Sequence, residues 1–163
     1  MNKKNNDSQQ QINRLKEACG NLGVKVTQQR IEIYREVLQT GNHPDAETVF
    51  RGVRRRMPTV SLDTVYRTLW WLKDLGLITT LGLSRERARF DGNLSRHHHF
   101  VCTRCGLTRD FFSDAFDSLE PPDSVQSIGH AERVQIEIRG LCLRCAQKRS
   151  VARKNKGGRN IYE

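Results

Sequence analysis

The chain has 163 residues, of which 28 are lysine or arginine and 18 are aspartate or glutamate, so its formal net charge at pH 7 is +10. This length allows one medium domain or two small ones, and the positive charge favours an acidic partner such as nucleic acid or an anionic membrane surface. Because the chain has no apolar run long enough for a transmembrane helix, and its polar start MNKKNNDSQQQ does not resemble a secretory signal, we expect a cytoplasmic protein with no membrane partner.

The first half of the chain predicts four helices. Residues 1–8 are polar and are expected to be disordered, and helical spacing of apolar residues then begins, with Ile12, Leu15, Cys19 and Leu22. Each of the next three helices begins after a residue whose side chain suits an N-cap, namely Thr27, Asp45 and Ser61.

Strand character follows the fourth helix. Residues 77–81 and 88–90 are expected to pair around a turn at 82–87, and four helices followed by a hairpin are typical of a winged helix-turn-helix. Further along, strands are predicted at 107–112 and 134–138, with a short helix at 114–119 that is stopped by two prolines, and a last helix near the second cysteine pair.

The predicted fold class is therefore α+β, with a winged helix-turn-helix domain followed by a small α/β domain. The domains are expected at 1–90, with a hinge at about 88–96, and at 97–150, with a basic flexible tail at 151–163. Residues 1–91 hold 16 basic against 10 acidic side chains, whereas residues 92–147 hold 6 against 7. This division favours nucleic acid contact through the first half of the chain.

The fourth helix carries the candidate nucleic-acid contacts. Its apolar stripe is expected to leave Ser61, Thr64, Arg67 and Thr68 on the outer side, where such side chains can reach phosphates or base edges in the major groove. The arginines at 54–56 could clamp phosphates. The alternative, which periodicity leaves open, is a solvated charged helix in another kind of small helical protein.

Four of the five cysteines form two Cys-x-x-Cys pairs, Cys102 with Cys105 and Cys142 with Cys145, separated by 36 residues. Four thiolates suit a tetrahedral structural Zn²⁺ with no open coordination position. The alternatives are unrelated cysteines or a redox Cys-x-x-Cys motif. Cys19 stands alone and is given no role.

Three consecutive histidines precede the first cysteine pair. In a strand, His97 and His99 point to the same side and His98 points to the other, so His97 and His99 can share a metal ion. Asp91 and Asp110 flank them, and imidazoles with carboxylates suit Fe(II), Mn(II) or Zn(II). The alternative is a polar surface turn.

Taken together, these residues resemble the ferric uptake regulator (Fur) family, with a match from about residue 15 to residue 145. The matching motifs are VTQQR at 26–30, HP at 43–44, SLDTVYRTL at 61–69, RFD at 89–91, HxH at 97–99, CxxCG at 102–106 and CxxC at 142–145. The resemblance implies a repressor that binds double-stranded operator DNA through Ser61, Thr64, Tyr66 and Arg67. It also implies a homodimer formed by the C-terminal α/β domain, and no small organic substrate.

The resemblance further implies a regulatory Fe²⁺ or Mn²⁺ site that joins the two domains, with His43, Asp91, His97, His99 and Asp110 as ligands. Asp rather than Glu at positions 91 and 110 is similar to the peroxide-responsive, PerR-like branch. In that branch, His43 or His97 would gain an oxygen atom when the iron-loaded protein meets peroxide. The alternative within the family is an iron-responsive repressor.

Many iron-sensing relatives have a further metal site, which would need histidines near positions 96 and 134. This chain has Arg96 and Val134 there, and His98 with Asp117 alone would make a poor site, so we expect this site to be missing. A zinc or thiol-redox enzyme is the less favoured alternative function, because four thiolates close the zinc shell. A passive metal-storage module would not need the helix that follows Ser61.

Overall fold

The computed structural model describes residues 3–41, 43–81, 88–131 and 133–154. They form two compact units that divide between Ser95 and Arg96. The mixture of helices and strands confirms the predicted α+β fold class.

The first unit contains four helices and one pair of strands. The helices are α1 (Lys3–Asn21), α2 (Gln28–Thr40), α3 (Ala46–Arg54) and α4 (Leu62–Asp74), and the strands are β1 (Thr79–Leu81) and β2 (Arg89–Asp91). The side chains of Thr27, Asp45 and Ser61 each accept a hydrogen bond from the backbone N–H three residues on, as their N-cap chemistry predicts. The expected disorder of residues 1–8 was wrong from Lys3 onward, because α1 begins there.

The core of the first unit is built from the inner faces of these helices and from β2. Leu15 and Cys19 of α1, Ile33 and Tyr34 of α2, and Leu69 of α4 are fully buried, and burial of each large apolar side chain stabilises the fold by about 1.5–3 kcal/mol. Leu22 continues the helical spacing of apolar residues in the sequence, but it follows the end of α1 and is 55% exposed.

Strands β1 and β2 form an antiparallel pair in which Thr80 lies opposite Phe90. The pair agrees with the expected hairpin, although β1 begins at Thr79 rather than at residue 77. Leu77 and Ile78 are buried instead in the chain that leads from α4 into the strand. The predicted turn at 82–87 lies outside the described residues.

The second unit contains a three-stranded sheet and three helices. The strands β3 (His98–Cys102), β4 (Thr108–Phe111) and β5 (Glu137–Gly140) lie in the order β4-β3-β5, with β4 antiparallel and β5 parallel to β3. The helices are α5 (Asp114–Asp117), α6 (Asp123–Gln126) and α7 (Leu143–Lys154).

Two expectations for the second unit need correction. Strand β5 begins at Glu137 rather than at residue 134, because its position is set by pairing with β3. Helix α6 was not predicted, since the two prolines were taken only as a stop. Pro122 is in fact the N-cap residue of α6, a position at which a fixed φ and a missing N–H cost little.

The C-terminal helix α7 continues through Lys154, beyond the predicted domain end at residue 150. The remainder of the predicted basic tail, residues 155–163, lies outside the described residues. Among the described residues, no helix is both long enough and apolar enough to cross a membrane.

Candidate metal centres and nucleic-acid interface

The four paired cysteines converge in the second unit. Their Sγ atoms all lie within 4.8 Å of one another, and Cys105 Sγ is 3.8 Å from Cys142 Sγ. Tetrahedral zinc with Zn–S bonds of about 2.3 Å requires S–S separations of about 3.8 Å. The four thiols therefore fit a structural zinc ion with a closed coordination shell.

The local backbone explains how the two pairs meet. Cys102 ends β3, and the turn after it closes with Gly106 at a φ of 69° and with Gly106 N–H donating to the Cys102 carbonyl over 2.9 Å. Thr103 N–H donates to the carbonyl of Gly140 over 2.8 Å, which holds this turn beside the end of β5. The Arg104 guanidinium donates to the carbonyl of Cys145 over 3.3 Å, so it ties the first cysteine pair to α7.

The thiols are electrostatically unequal without a metal. Backbone N–H groups lower the pKa of Cys102 to about 6, and the first cause is Cys142 N–H, which donates to Cys102 Sγ over 3.3 Å. Desolvation, followed by hydrogen bonds with the other three thiols, raises the pKa of Cys145 to about 12. The Cys145 thiol therefore needs a bound cation to become a thiolate at neutral pH, and zinc ligation supplies one.

Three of the predicted regulatory ligands converge elsewhere in the second unit. His97 Nε2 and His99 Nε2 are 2.9 Å apart, and Asp110 Oδ1 lies 3.9 Å from the first and 3.7 Å from the second. Asp110 is opposite His99 in the β3–β4 pair, so strand register brings the carboxylate to the imidazoles. Two imidazole nitrogens and a carboxylate aimed at one point suit Fe(II), Mn(II) or Zn(II).

His98 points away from this cluster, as strand alternation predicts. It is buried against the rings of Phe111 and Phe116, with centroid separations of 5.4 and 5.6 Å. Asp117 Oδ1 lies 3.3 Å from His98 Nε2 and 3.2 Å from Arg96 Nε. The Arg96 guanidinium already lies beside this carboxylate, and the lack of a further metal site here stays a prediction.

The other two predicted regulatory ligands meet in the first unit. His43 Nε2 is 3.5 Å from Asp91 Oδ2, and both residues are buried. His43 has a φ of 49°, a left-handed conformation that costs a non-glycine residue about 1–3 kcal/mol. Two contacts with β2 hold it: Phe90 N–H donates to the Pro44 carbonyl over 2.9 Å, and Arg89 donates to the His43 carbonyl over 3.2 Å.

The predicted DNA-contacting residues lie at the start of α4 but differ in exposure. Ser61 caps the helix by accepting from Thr64 N–H over 3.1 Å, and Tyr66 packs partly against the core. The Arg67 side chain is 82% exposed, and its 3.9 Å approach to the exposed Asp63 is too weakly stabilising to hold it. Thr68 was wrongly placed on the outer side, because it is buried.

The three arginines at 54–56 have different environments. Arg56 donates to Glu32 and Glu36, each over 2.7 Å, and hydrogen bonding with Glu36 is the first cause that raises its pKa. The Arg54 guanidinium lies over the Phe50 ring, 5.4 Å from its centroid, whereas Arg55 is exposed. The idea that all three clamp phosphates therefore does not hold for Arg56, which links α2 to the end of α3.

Two residues near the predicted ligands were missed by sequence reasoning. Arg89 holds the His43 carbonyl, and the Gln135 side chain reaches both His97 and His99. Neither residue type is a typical metal ligand, and no spacing rule connects Gln135 to the histidines. Only the parallel pairing of β5 with β3 brings it there.

Comparison with known proteins agrees with this geometry. The sequence profile of the ferric uptake regulator family matches residues 21–138. The peroxide-responsive repressor PerR of Staphylococcus saprophyticus is 30% identical over 128 residues, which cover 78% of this chain and 86% of that protein.

Solved structures show the same fold. The ferric uptake regulator of Helicobacter pylori superposes with a TM-score of 0.71 at 20% identity, covering 85% of this chain and 93% of that one. The iron-containing ferric uptake regulator of Francisella tularensis gives a TM-score of 0.63 at 27% identity, covering 76% and 96%. With the family profile spanning most of the residues, the chain belongs to the ferric uptake regulator family of metal-dependent regulators.

Proposed function

We propose that the chain is a transcriptional repressor whose metal-dependent binding to operator DNA is abolished by peroxide. The observation that carries the proposal is the cluster of His97, His99 and Asp110, in which a short carboxylate meets two imidazole nitrogens. Similarity to a peroxide-responsive repressor supports the same function.

The proposed regulatory site takes His43 and Asp91 from the first unit and His97, His99 and Asp110 from the second. Both sets fit a hard-to-borderline cation, because each brings imidazole and carboxylate atoms close together. One ion ligated by both sets would restrict the orientation of one unit relative to the other. Rotation of one domain relative to another is a recognised allosteric transition, and here it would change the spacing of the DNA-binding elements. Zinc at the four cysteines has a separate role, which is to stabilise the second unit.

Histidine oxidation is the proposed signal. Ferrous iron held by His43, Asp91, His97, His99 and Asp110 would supply one-electron reduction of hydrogen peroxide beside the imidazoles. Overall, one peroxide oxygen is inserted into an imidazole C–H bond of His43 or His97, and the other oxygen leaves as water. The oxidised ring is a poorer ligand, so the two units lose their common restraint and the operator is released. The paired cysteines are not the sensor in this proposal.

The proposed DNA contacts are Ser61, Thr64, Tyr66 and Arg67 at the start of α4. We further propose a cytoplasmic homodimer that forms through the second unit. Exposed apolar side chains support that interface, and they include Phe112, Leu119, Ile128, Ile138 and Leu143. Within the described sheet, β5 pairs only with β3, so its other edge can accept a strand from a second copy.

The test is operator binding by the Fe(II)- and Mn(II)-loaded proteins before and after one equivalent of hydrogen peroxide. We expect both forms to bind before treatment, and only the iron form to release DNA afterwards. Peptide mass spectrometry should then find one added oxygen on His43 or His97, with the cysteines intact. Release only on iron removal, without histidine oxidation, would instead indicate an iron-responsive repressor.

A further inference from the structure

Arg56 joins the turn between α3 and α4 to helix α2. Its Nε donates to Glu32 Oε2 and its Nη2 donates to Glu36 Oε2, each over 2.7 Å. The two glutamates are four residues apart in α2, so they lie on the same face of that helix in successive turns. One planar guanidinium therefore bridges two turns of α2, which fixes its direction as well as its distance.

The two carboxylates that receive Arg56 are largely shielded from water. The Glu32 side chain is 7% exposed and the Glu36 side chain is 16% exposed. Gln28 Nε2 donates to Glu32 Oε1 over 3.3 Å, and Arg35 pairs with the same oxygen. Salt screens such partly buried pairs much less than exposed ones. The two arginines and two glutamates also leave the cluster without net charge, so it adds little to the attraction for phosphates.

Gly52 leaves the space that the Glu36 side chain occupies. A Cβ at this position of α3 would overlap the Oε1, Cδ and Cγ atoms of Glu36. Alanine would suit the helix better on propensity alone, so the close approach of Glu36 is the reason for a glycine here. Any side chain at this position would push the Glu36 carboxylate away from Arg56.

The turn that Arg56 anchors leads directly into α4. Arg56 N–H and Met57 N–H both donate to the carbonyl of Val53, over 2.9 and 2.8 Å, and Val60 N–H donates to the carbonyl of Met57 over 3.1 Å. Ser61 then caps α4. These hydrogen bonds leave little freedom between Arg56 and the first turn of α4, so a displacement of Arg56 would also move the start of that helix.

We propose that Arg56 is a positioning residue for operator recognition, which sets the place of α4 by anchoring the preceding turn to Glu32 and Glu36. It acts through α4 and reads neither bases nor phosphates itself. Gly52 belongs to the same arrangement, because it admits the Glu36 carboxylate beside α3. The proposal rests on the DNA contacts proposed above at the start of α4.

Two variants separate positioning from charge. Glu36→Gln removes a negative charge, so electrostatics alone would strengthen DNA binding. Loss of the bridge should instead weaken operator binding about tenfold, the scale of one hydrogen bond to a charged group. Gly52→Ala changes no charge and favours the helix, yet it should weaken binding by a similar factor because it displaces Glu36.

Matched controls are Glu47→Gln and Gly20→Ala, neither of which should weaken DNA binding. Glu47 is a carboxylate of α3 whose side chain is 68% exposed, and a Cβ at Gly20 of α1 would enter open space as far as the structure describes the chain. Arg56→Met completes a double-mutant cycle with Glu36→Gln. It should weaken binding in the wild-type background and add little in the Glu36→Gln background, because both changes break one interaction.

Binding should be measured by fluorescence anisotropy on the full chain with zinc in place and Mn(II) in excess, at a temperature where circular dichroism shows every variant folded. One probe is the duplex that the wild type selects from a randomised library, and the other is a scrambled duplex of the same base composition. Binding to the scrambled duplex depends on charge rather than on sequence. Loss of positioning should therefore weaken binding to the selected duplex and should not weaken binding to the scrambled one.

Weaker binding of the selected duplex by both Glu36→Gln and Gly52→Ala, with the controls unaffected, would establish the role of Arg56. Undiminished binding by either variant would overturn it, as would a loss that the controls or the scrambled duplex reproduce. An Arg56→Met effect that is as large in the Glu36→Gln background as in the wild type would also overturn it, since Arg56 would then contact DNA directly. If the wild type selects no duplex, the proposed DNA-binding function itself fails.

Discussion

Asp110 lies directly opposite His99 in the antiparallel pair of β3 and β4, with its Oδ1 3.7 Å from His99 Nε2. Strand register therefore fixes the backbone distance between the carboxylate and the imidazole. What remains variable is side-chain length, because glutamate at this position would carry its oxygens one methylene further from β4. The choice between aspartate and glutamate thus controls how the carboxylate approaches a metal bound by the histidines.

Asp110→Glu tests that choice. We expect Mn(II)-dependent operator binding to be kept, whereas histidine oxidation after peroxide treatment of the iron form should fall about tenfold, because the altered carboxylate changes the ligand geometry. Quantitative peptide mass spectrometry measures the oxidised fraction of His43 and His97. Asp114→Glu, which makes the same change at an exposed position of α5, should oxidise like the wild type. Undiminished oxidation in Asp110→Glu would remove Asp110 from the sensing chemistry.

Zinc removal should unfold the second unit or separate the dimer. The binding free energy of a structural zinc, about 10–16 kcal/mol in small domains, is also folding free energy. We expect Cys102→Ser to lose zinc and to elute as a monomer or aggregate in size-exclusion chromatography. Cys19→Ala, which alters a buried cysteine of α1, should keep its zinc. A stable, zinc-free dimer of Cys102→Ser would contradict the assignment.

Arg67→Ala should weaken operator binding by about 1–3 kcal/mol if the guanidinium reads a base. Its side chain is 82% exposed, so the substitution should leave the unfolding temperature and metal content unchanged. Fluorescence anisotropy with labelled operator DNA measures the effect. Arg133→Ala removes an equally positive, exposed side chain that lies outside the strands of the second unit, and it is the control. Equal affinity of Arg67→Ala and the wild type would move the DNA interface elsewhere.

Gly92→Ala should destabilise the first unit next to the proposed ligand Asp91. A Cβ at Gly92 would lie 2.8 Å from Leu38 Cδ2, so either the Leu38 side chain or the backbone at Gly92 must shift. Such overpacking costs about 1–3 kcal/mol. Thermal unfolding should show the loss, and Mn(II) affinity should fall with it. Gly129→Ala, where an added Cβ meets open space among the described residues, should match the wild type in both measurements.

Local chemistry made much of the first unit predictable. A cap depends on a side chain and an N–H three residues away, so Asp45 and Ser61 could be assigned from sequence alone. The two cysteine pairs could also be identified from the sequence, because each Cys-x-x-Cys motif spans only four residues. The alternation of His97, His98 and His99 followed from the period of a strand.

Features that depend on distant residues were not predictable in the same way. The start of β5 depends on pairing with β3, and the contact of Gln135 with His99 follows from that pairing. Thr68 was wrongly predicted to lie on the outer side of α4. A helix that is packed on more than one side also buries polar residues outside its apolar stripe. Arg56 was misread because its partners Glu32 and Glu36 belong to another helix.

The edge-to-face contact between Trp70 and Phe90 gives this protein a built-in optical probe. Trp70 belongs to the same helix as Arg67, and its ring centroid is 5.8 Å from that of Phe90, the residue before Asp91. Any adjustment of β2 as Asp91 takes up a cation should change the surroundings of this indole. In a Trp71→Phe protein, where Trp70 is the remaining tryptophan, its emission can therefore report the occupancy of the proposed regulatory site without an added label.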